Sequence, residues 1–371
     1  MKDSNVALLW RNADCVRQFS TGVCLHGHTM HSEECLSFLP RYLKRVPGGS
    51  HIVTRYQRGP LPAVDFSRAY WTPPLSPASA LRLEREQIAK LGLHPLVSLT
   101  DHDNMEAGAT LQVATSPSEV PVSVEWTVPY DRSIFHLGIH NLPPVDAQAW
   151  MSAMAAYTAN NDENLLRDIL SACAKIPDAL IVLNHPFWLE EGVEEIDHQK
   201  ALDRVLREYG EWFHAFELNG TRRWSENAAA MELARIHSRP VVSGGDRHAC
   251  EPAACLNLTN SRSFSEFAAE VRAGYSSVVF LPHYRQPMAF RLLEASCEIL
   301  RPYPEFPGRV RWIDRFFYRT GDGTAQTLAA LWENREPWAI RPLSGTLQFL
   351  ASAQVRMALR LVMAGQREAL P

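Results

Sequence analysis

The chain has 371 residues, of which 46% are hydrophobic and 21% charged, and its formal net charge is −4. This length allows one large domain with additions, or two domains. The charge balance argues against an extended nucleic-acid surface. We find no apolar run long enough for a membrane span or a secretion signal, and the seven cysteines include no Cys-x-x-Cys pair. We therefore expect a cytoplasmic protein.

Short apolar runs alternate with segments of helical periodicity. We predict strands at residues 22–26, 96–100, 122–126, 134–139, 180–184, 215–218 and 241–244, with an eighth near 277–280. We predict helices at 79–91, 163–174, 199–208, 225–237 and 266–273, the last with a capping box of Ser263 and Glu266 and a stop at Gly274. This alternation is typical of a parallel α/β fold, and seven or eight strands favour a barrel.

Two regions break the alternation. Residues 36–77 are rich in proline and aromatic residues and carry six basic side chains against one acidic side chain, a net charge of +5. After residue 284 the pattern is irregular and then helical, with apolar residues at helical spacing over 343–364, interrupted by Arg356 and Arg360. We predict a main domain of residues 1–284 with the insertion 36–77, and a mostly helical extension of residues 285–371. The extension would pack on the main domain, on a second subunit or on a membrane surface.

Ionisable side chains end or interrupt seven of the apolar runs. They are His26 with His28, Asp101 with His102 and Asp103, Glu125, His136, His185, Glu217, and Asp246 with His248. Each motif alone could be a solvated loop or a core histidine. Because the carboxyl ends of barrel strands converge on one face, we expect the side chains to meet. Imidazole and carboxylate ligands together suit Zn, Mn or Fe. Pro186 predicts an extended backbone at His185.

The order of these motifs resembles the PHP family, which is named for polymerase and histidinol phosphatase. The matching residues are His26-Gly27-His28-Thr29-Met30-His31-Ser32-Glu33, Thr100-Asp101-His102, Glu125, His136-Leu137-Gly138, His185-Pro186 and Gly244-Gly245-Asp246-Arg247-His248. The stand-alone phosphoesterases of that family are the most similar type. The resemblance implies a distorted (β/α)7 TIM-like barrel with a trinuclear metal site.

The resemblance also implies which residues bind two or three divalent ions. The first ion would be held by His26, His28, Glu125 and Asp246; the second by Glu125, His136 and His185; the third by Glu33, His102 and His248. The sequence departs from the family pattern where Ser32 is followed by two glutamates, so that His31 or Glu34 could replace Glu33. Arg247 stands where a small residue is usual, and the insertion 36–77 lengthens the segment before Asp101.

The implied function is hydrolysis of phosphate esters by a hydroxide that two metals share. Three divalent ions and three carboxylates would leave a positive site, which attracts a small phosphorylated substrate or a short nucleotide. Phosphate oxygens could be clamped by Arg247, Arg222 or Arg223, of which we favour Arg247 because it lies inside a metal motif. Asp101 or His31 could protonate the leaving group.

Three alternatives stay open. The first is a nuclease or nucleotide phosphatase acting on short oligonucleotides or 3′,5′-bisphosphates, with bases stacked on Tyr56, Phe66, Tyr70 or Trp71. The second is hydrolysis of histidinol phosphate. The third is a catalytically idle barrel that serves as a binding module. A homo-oligomer formed through the C-terminal extension is possible in each case.

Overall fold

The structure is a computed structural model that describes residues 4–37, 39, 64–114, 120–190, 192–338, 340–350, 352, 355 and 358. Most of the predicted insertion lies outside the described residues, including Tyr56 and five of its six basic side chains. The same holds for half of the predicted 343–364 helix, including Arg356 and Arg360.

The protein is a mixed α/β protein, as predicted. Its strands are β1 (Ser4–Leu8), β2 (Thr21–Cys24), β3 (Glu34–Cys35), β4 (Ala69–Trp71), β5 (His94–Val97), β6 (Val122–Tyr130), β7 (Ser133–Leu142), β8 (Leu180–Asn184), β9 (Ala215–Asn219), β10 (Val241–Gly244), β11 (Cys255–Thr259), β12 (Ser276–Phe280), β13 (Phe316–Arg319) and β14 (Ala325–Thr327).

Ten α-helices lie within the described ranges. They are α1 (Pro77–Ala89), α2 (Glu106–Ala114), α3 (Ala147–Asn160), α4 (Glu163–Ala174), α5 (Glu195–Tyr209), α6 (Trp224–Ile236), α7 (Phe264–Arg272), α8 (Met288–Leu300), α9 (Leu328–Leu331) and α10 (Arg341–Leu350). Single 3-10 turns occur at Ala13–Val16, Phe66–Arg68, Pro144–Asp146, Pro282–Arg285 and Trp312–Asp314. None of the helices in these ranges has the length and apolar character needed to cross a bilayer.

Two five-stranded sheets make up the body of the molecule. Their strand orders are β1-β12-β11-β2-β5 and β10-β9-β8-β7-β6. Apolar side chains of both sheets meet in one buried cluster, in which Val23 and Leu96 of the first sheet join Val182 and Val242 of the second. The polar motifs that follow the strands are therefore brought to neighbouring ends of the two sheets.

The eight predicted strands and five predicted helices are present; β8, β10 and α4 have the predicted ends, and the ends of the others are shifted by a few residues. One half of the predicted capping box of α7 is present, because the Ser263 hydroxyl accepts from Glu266 N at 3.2 Å, whereas the Glu266 carboxylate accepts from Arg262 N instead of Ser263 N. The predicted stop is present too, since Gly274 has a φ of +95°. The predicted parallel arrangement holds for some strand pairs of these two sheets and was wrong for two strands. β7 is antiparallel to β6 and β8, and β11 is antiparallel to β2 and β12. The short turn between β6 and β7 allows no other arrangement.

Hydrogen bonding among the described strands does not close the two sheets into one continuous barrel. Two isolated bridges join them instead, one between Gly27 and Arg247 and one between His102 and Glu125. Both bridges lie in the polar motifs, so the sheets touch where the candidate site is formed.

A third sheet, with the order β14-β13-β4-β3, combines the two irregular regions. β3 directly precedes the insertion and β4 lies within it, whereas β13 and β14 belong to the C-terminal extension, which was predicted to be mostly helical. Trp71 of β4 and Phe316 of β13 lie opposite each other and pack in one buried cluster with Trp312 and Trp332. The extension therefore shares a hydrophobic core with the insertion. The domain boundary at residue 284 stays a prediction.

Candidate metal centre

The Glu125 carboxylate lies at the centre of a buried group of imidazoles. Glu125 interrupts the apolar strand β6 and is 1% exposed. Five histidines place a ring nitrogen 2.9–3.6 Å from its oxygens: His26, His28, His102, His136 and His185. Burial would raise the pKa of Glu125, but the imidazoles, His26 first, hold it well below its usual range.

Asp246 approaches the same group from the loop after β10. Its Oδ1 lies 3.5 Å from His28 Nε2 and 3.8 Å from His26 Nε2. Its Oδ2 accepts from the Asn219 amide at 3.1 Å and from the Thr221 hydroxyl at 2.8 Å. Asp246 therefore has one oxygen held by donors and one oxygen aimed at the imidazoles.

The hydrogen-bond partners of His26 and His28 fix which ring nitrogens carry protons. His26 Nδ1 lies 2.6 Å from the Glu217 carboxylate and must donate to it, which leaves Nε2 as an acceptor. His28 Nδ1 lies 3.3 Å from Ser32 Oγ, whose own proton goes to Glu34 at 2.7 Å. His28 Nδ1 therefore donates to Ser32, and its Nε2 is an acceptor too.

Four acceptor atoms thus face one another: His26 Nε2, His28 Nε2, Glu125 Oε2 and Asp246 Oδ1. The two imidazole nitrogens are 3.1 Å apart, and the nitrogen–oxygen distances run from 2.9 to 3.8 Å. Ligands about 2.1 Å from a tetrahedral zinc ion would lie about 3.4 Å apart. The donor set therefore fits a divalent cation in both chemistry and spacing.

If no cation is bound, a proton must lie among these four acceptor atoms to offset their repulsion. Burial would lower the pKa of His26, but the Glu125 and Glu217 carboxylates raise it well above its ordinary value. Burial and the nearby His248 lower the pKa of His28 to about 4. His136 Nδ1 is buried and has no hydrogen-bond partner among the described residues, which fits a role as a metal ligand.

A further carboxylate, that of Glu34, faces His102 and His248 of the histidine group. Its Oε2 lies 3.4 Å from His248 Nε2 and 3.5 Å from His102 Nε2. Burial would raise the pKa of Glu34, but His248 and His102 hold it well below its usual range. Burial alone would lower the pKa of His248, but the Glu34 carboxylate raises it to about 9.

Glu33, the predicted ligand, lies away from this group. Its side chain is 49% exposed and forms an ion pair with Arg319 of β13. Neighbouring residues of an extended chain point to opposite sides. β3 pairs with β4 so that Glu34 lies opposite Trp71, and the Trp71 ring packs 5.6 Å from the His248 ring. This pairing turns Glu34 inwards and Glu33 outwards.

The three predicted phosphate clamps have different surroundings. Arg247 is buried and turned away from the imidazoles, because its guanidinium pairs with Glu84 of α1 at 2.6 Å and donates to the Glu251 carbonyl at 2.8 Å. Arg223 is exposed at the start of α6. Arg222 alone lies beside the group, with Nη2 3.5 Å from Asp246 Oδ2 and its guanidinium 5.2 Å from the centre of the Trp188 ring.

The two predicted leaving-group acids are engaged with other residues. Asp101 is fully buried and accepts from the backbone N–H and the hydroxyl of Thr29, so it holds the loop between His28 and Ser32. Burial raises the pKa of Asp101 to about 7, although the Thr29 hydrogen bonds oppose this rise. His31 is paired with Glu106 at 2.9 Å.

Of the aromatic residues considered for base stacking, the described ones pack on protein. Trp71 is 8% exposed and lies between His248 and Phe316. Tyr70 stacks on Phe317 at 5.1 Å. Phe66 packs against the cluster around Trp71.

Several polar residues around the site were not assigned a role from the sequence. The resemblance gave no role to Glu217, although the sequence analysis singled it out as a strand-end carboxylate. One of its oxygens accepts from His26 Nδ1 and the other from the backbone N–H of His185 at 2.9 Å, so Glu217 orients the His26 imidazole and holds the backbone at His185. Asn184 donates to Glu125 at 3.0 Å. Nothing in the sequence distinguishes Asn219 at the end of β9, or Thr221 in the loop after it, from ordinary polar residues at such positions.

Backbone geometry at the site is unusual. His185 has a φ of +25° and Asp246 a φ of +50°, which non-glycine residues rarely adopt. The expected extended conformation of His185 before Pro186 was therefore wrong. The hydrogen bond from His185 N to Glu217 is one contact that holds this backbone in place. Gly244 is required by close packing, because a Cβ there would overlap the Glu217 carboxylate.

Comparisons with known proteins give distant matches. No family model and no curated protein matches the sequence. Matching solved structures include an amidohydrolase from Chromobacterium violaceum with bound sulfate and no metal, at 14% identity and a TM-score of 0.36, covering 48% of this chain and 84% of that one. A provisionally assigned metal-dependent phosphoesterase from Bifidobacterium adolescentis matches at 15% identity and a TM-score of 0.33, covering 54% and 91%. PsfC from Pseudomonas syringae matches at 11% identity and a TM-score of 0.33, covering 55% of this chain and 83% of that one. At these TM-scores, neither the fold nor the activity of this chain follows from the overlap.

Proposed function

We propose that this chain is a hydrolase that uses two or three divalent metal ions, Zn, Mn or Fe, to cleave phosphate esters. The observation that carries the proposal is the group of four acceptors, His26 Nε2, His28 Nε2, Glu125 Oε2 and Asp246 Oδ1, which face one another without a donor between them. Buried acceptors at such distances repel each other unless a cation or a proton lies among them.

The proposed ligand sets follow the family pattern with one change. The first ion would be held by His26, His28, Glu125 and Asp246; the second by Glu125, His136 and His185; the third by Glu34, His102 and His248. Glu34 takes the role expected of Glu33 because its carboxylate is the one within 3.5 Å of both histidines. We also propose that the two five-stranded sheets are the halves of a distorted barrel of the PHP type.

The bound ions would supply Lewis acidity and lower the pKa of water to about 7. The chain's own residues would then orient the ligands and bind the substrate. Glu217 and Asn184 hold imidazole and carboxylate in place through the hydrogen bonds described above. For the phosphate we propose Arg222, since its guanidinium lies at the edge of the group, is 19% exposed and keeps N–H donors beyond its contact with Asp246. Arg247 would instead fix the loop through Glu84.

The test compares bound metal and hydrolysis in the same preparations. Wild-type protein, Asp246→Ala and the control His94→Ala, a surface histidine, are loaded with Mn²⁺ or Zn²⁺ and assayed on an aryl phosphate monoester and diester. Asp246→Ala should lose metal and at least about 10²-fold in turnover, whereas His94→Ala should match wild type.

Two results would contradict the proposal. Full metal content together with full turnover in Asp246→Ala would show that the proposed ligand group does not bind the catalytic metal. Bound metal without turnover on any phosphate ester would favour the binding-module alternative. Release of 5′-nucleotides from a short oligonucleotide, faster than release of the aryl alcohol, would instead favour the nuclease alternative.

A further inference from the structure

Asp246 is held by a short loop that follows β9. Three side chains reach Asp246 Oδ2: the amide of Asn219, the last residue of β9, at 3.1 Å, and from the loop the hydroxyl of Thr221 at 2.8 Å and the guanidinium of Arg222 at 3.5 Å. The Asn219 amide also donates to Glu217 at 3.0 Å. The position of this loop therefore helps to set the direction of the Asp246 carboxylate.

The backbone of the loop is fixed from outside by Arg291, a residue of α8 in the C-terminal extension. Arg291 is 5% exposed. One Nη of its guanidinium donates to the Gly220 carbonyl, and the other donates to the Arg222 carbonyl at 3.2 Å. Its Nε donates to the Gln286 carbonyl at 3.2 Å, and the guanidinium lies 4.3 Å from the centre of the Tyr284 ring.

The chemistry of this contact favours a positioning role over simple packing. A buried guanidinium is costly unless acceptors surround it, and here backbone carbonyls of the loop supply them. The planar fork of arginine sets the spacing of the two carbonyls it bridges, which neither an apolar side chain nor a lysine can do. Tyr284 also contacts the loop, because its hydroxyl donates to the Arg222 carbonyl at 3.0 Å.

We propose that Arg291 is a positioning residue for the metal centre: by clamping the carbonyls of Gly220 and Arg222, it holds the loop that orients Asp246. The inference rests on the metal centre proposed above. It makes the extension part of the site, because α8 itself carries none of the proposed ligands. Arg291 touches neither an ion nor a substrate, so its effect must appear in the strength and geometry of metal binding.

The test uses Co²⁺ as a probe of the full chain, read out by titration and by the visible d–d absorption of the bound ion. Arg291→Met is compared with Arg291→Lys and with Arg272→Met. Arg272 is a matched control, because its guanidinium also clamps carbonyls, those of Ala174 and Ala179 at 3.0 and 2.8 Å, in a turn that carries no proposed ligand. Circular dichroism and thermal melting report the folding of each variant.

Arg291→Met should weaken Co²⁺ binding about tenfold or more and change the d–d spectrum, as loss of an outer partner does at other metal sites. Arg272→Met should lower the melting temperature and leave affinity and spectrum unchanged. The Co²⁺ affinity of Arg291→Lys should lie between those of wild type and Arg291→Met. If Arg291→Met does not fold, the affinity and spectrum of Arg291→Lys test the inference. Wild-type affinity and spectrum in both Arg291 variants, or equal loss in Arg272→Met, would overturn the inference. Failure of wild type to bind Co²⁺ would refute the metal centre itself.

Discussion

Two sets of buried or half-buried histidines in the described part of the chain differ in their partners. His140, His198 and His214 each have an ordinary protein partner: His140 a serine hydroxyl at 2.8 Å, His198 a hydroxyl and a carbonyl, and His214 the N–H of Ile181 at 2.9 Å. The histidines around Glu125 instead face carboxylates and one another. His28 and His248 stack with ring centres 4.3 Å apart, and the nitrogens of His26 and His28 meet at 3.1 Å.

This difference shows why burial alone does not identify a metal site. A buried imidazole with its own donor or acceptor is satisfied as a neutral group, and burial lowers the pKa of His140 and of His214 to about 3. The set around Glu125 has more acceptors than donors, so it needs cations that the chain does not supply. Substitutions in the two sets should therefore have different consequences.

The largest effect is expected for Glu125→Gln. This change removes a charge that lies within 3.6 Å of five imidazoles, so bound metal should fall to near zero and turnover by at least about 10²-fold. The measurements are metal per chain and hydrolysis of an aryl phosphate. Glu298→Gln, another buried carboxylate, which pairs with Arg301, should keep its metal. Full metal content in Glu125→Gln would show that the histidines around Glu125 do not form a metal site.

A smaller effect is expected for Glu217→Gln. The amide can still accept from His26 Nδ1, but it lacks the charge that makes His26 a stronger ligand. Metal affinity should fall about 10- to 100-fold while the fold is retained. Isothermal titration with Zn²⁺ measures the change. Unaltered affinity would mean that His26 does not bind metal through Nε2.

Paired variants of two neighbouring residues test the Glu34 side of the site. Glu34→Gln should lower the affinity of the weakest-bound ion about tenfold, because its carboxylate faces His102 and His248. Glu33→Gln breaks a half-exposed ion pair with Arg319 and should cost at most about 1 kcal/mol of stability, with metal binding intact. If a metal titration showed that Glu33→Gln lowers metal affinity more than Glu34→Gln does, Glu33 would be the ligand.

The smallest effect concerns a histidine outside the site. The unfolded chain protonates His214 near pH 6.5, whereas burial and the nearby Arg272 and Arg239 lower its folded pKa to about 3. Stability from this group is therefore lost as pH falls below 6.5, by less than about 1 kcal/mol between pH 7 and pH 6. Urea unfolding at both pH values should show a weaker pH dependence in His214→Gln than in wild type. An identical dependence would show that His214 does not contribute.

Local patterns in the sequence predicted most of the residues that meet at the site. Glu125, His136 and His185 lie in or directly after apolar strands, and such strand ends gather wherever the strands share a sheet edge. The choice between Glu33 and Glu34 was not predictable, because it depends on β3 pairing with β4 and on β4 pairing with β13, more than 240 residues further along the chain.

The direction of Arg247 was not predictable for a similar reason. Its partner Glu84 lies on α1, 163 residues away, and nothing near Arg247 in the sequence indicates that this carboxylate will lie behind the loop. The antiparallel direction of β7 could have been predicted from the short turn at Asp131 and Arg132, since parallel neighbours need a crossover of a dozen or more residues.

The central claim is that a cation lies among His26 Nε2, His28 Nε2, Glu125 Oε2 and Asp246 Oδ1. Anomalous diffraction from crystals of the wild-type chain grown with Mn²⁺ or Zn²⁺ tests it directly. We predict an anomalous peak about 2.0–2.2 Å from each of these four atoms. Well-ordered density for the four side chains with no anomalous peak between them, at saturating metal, would contradict the account.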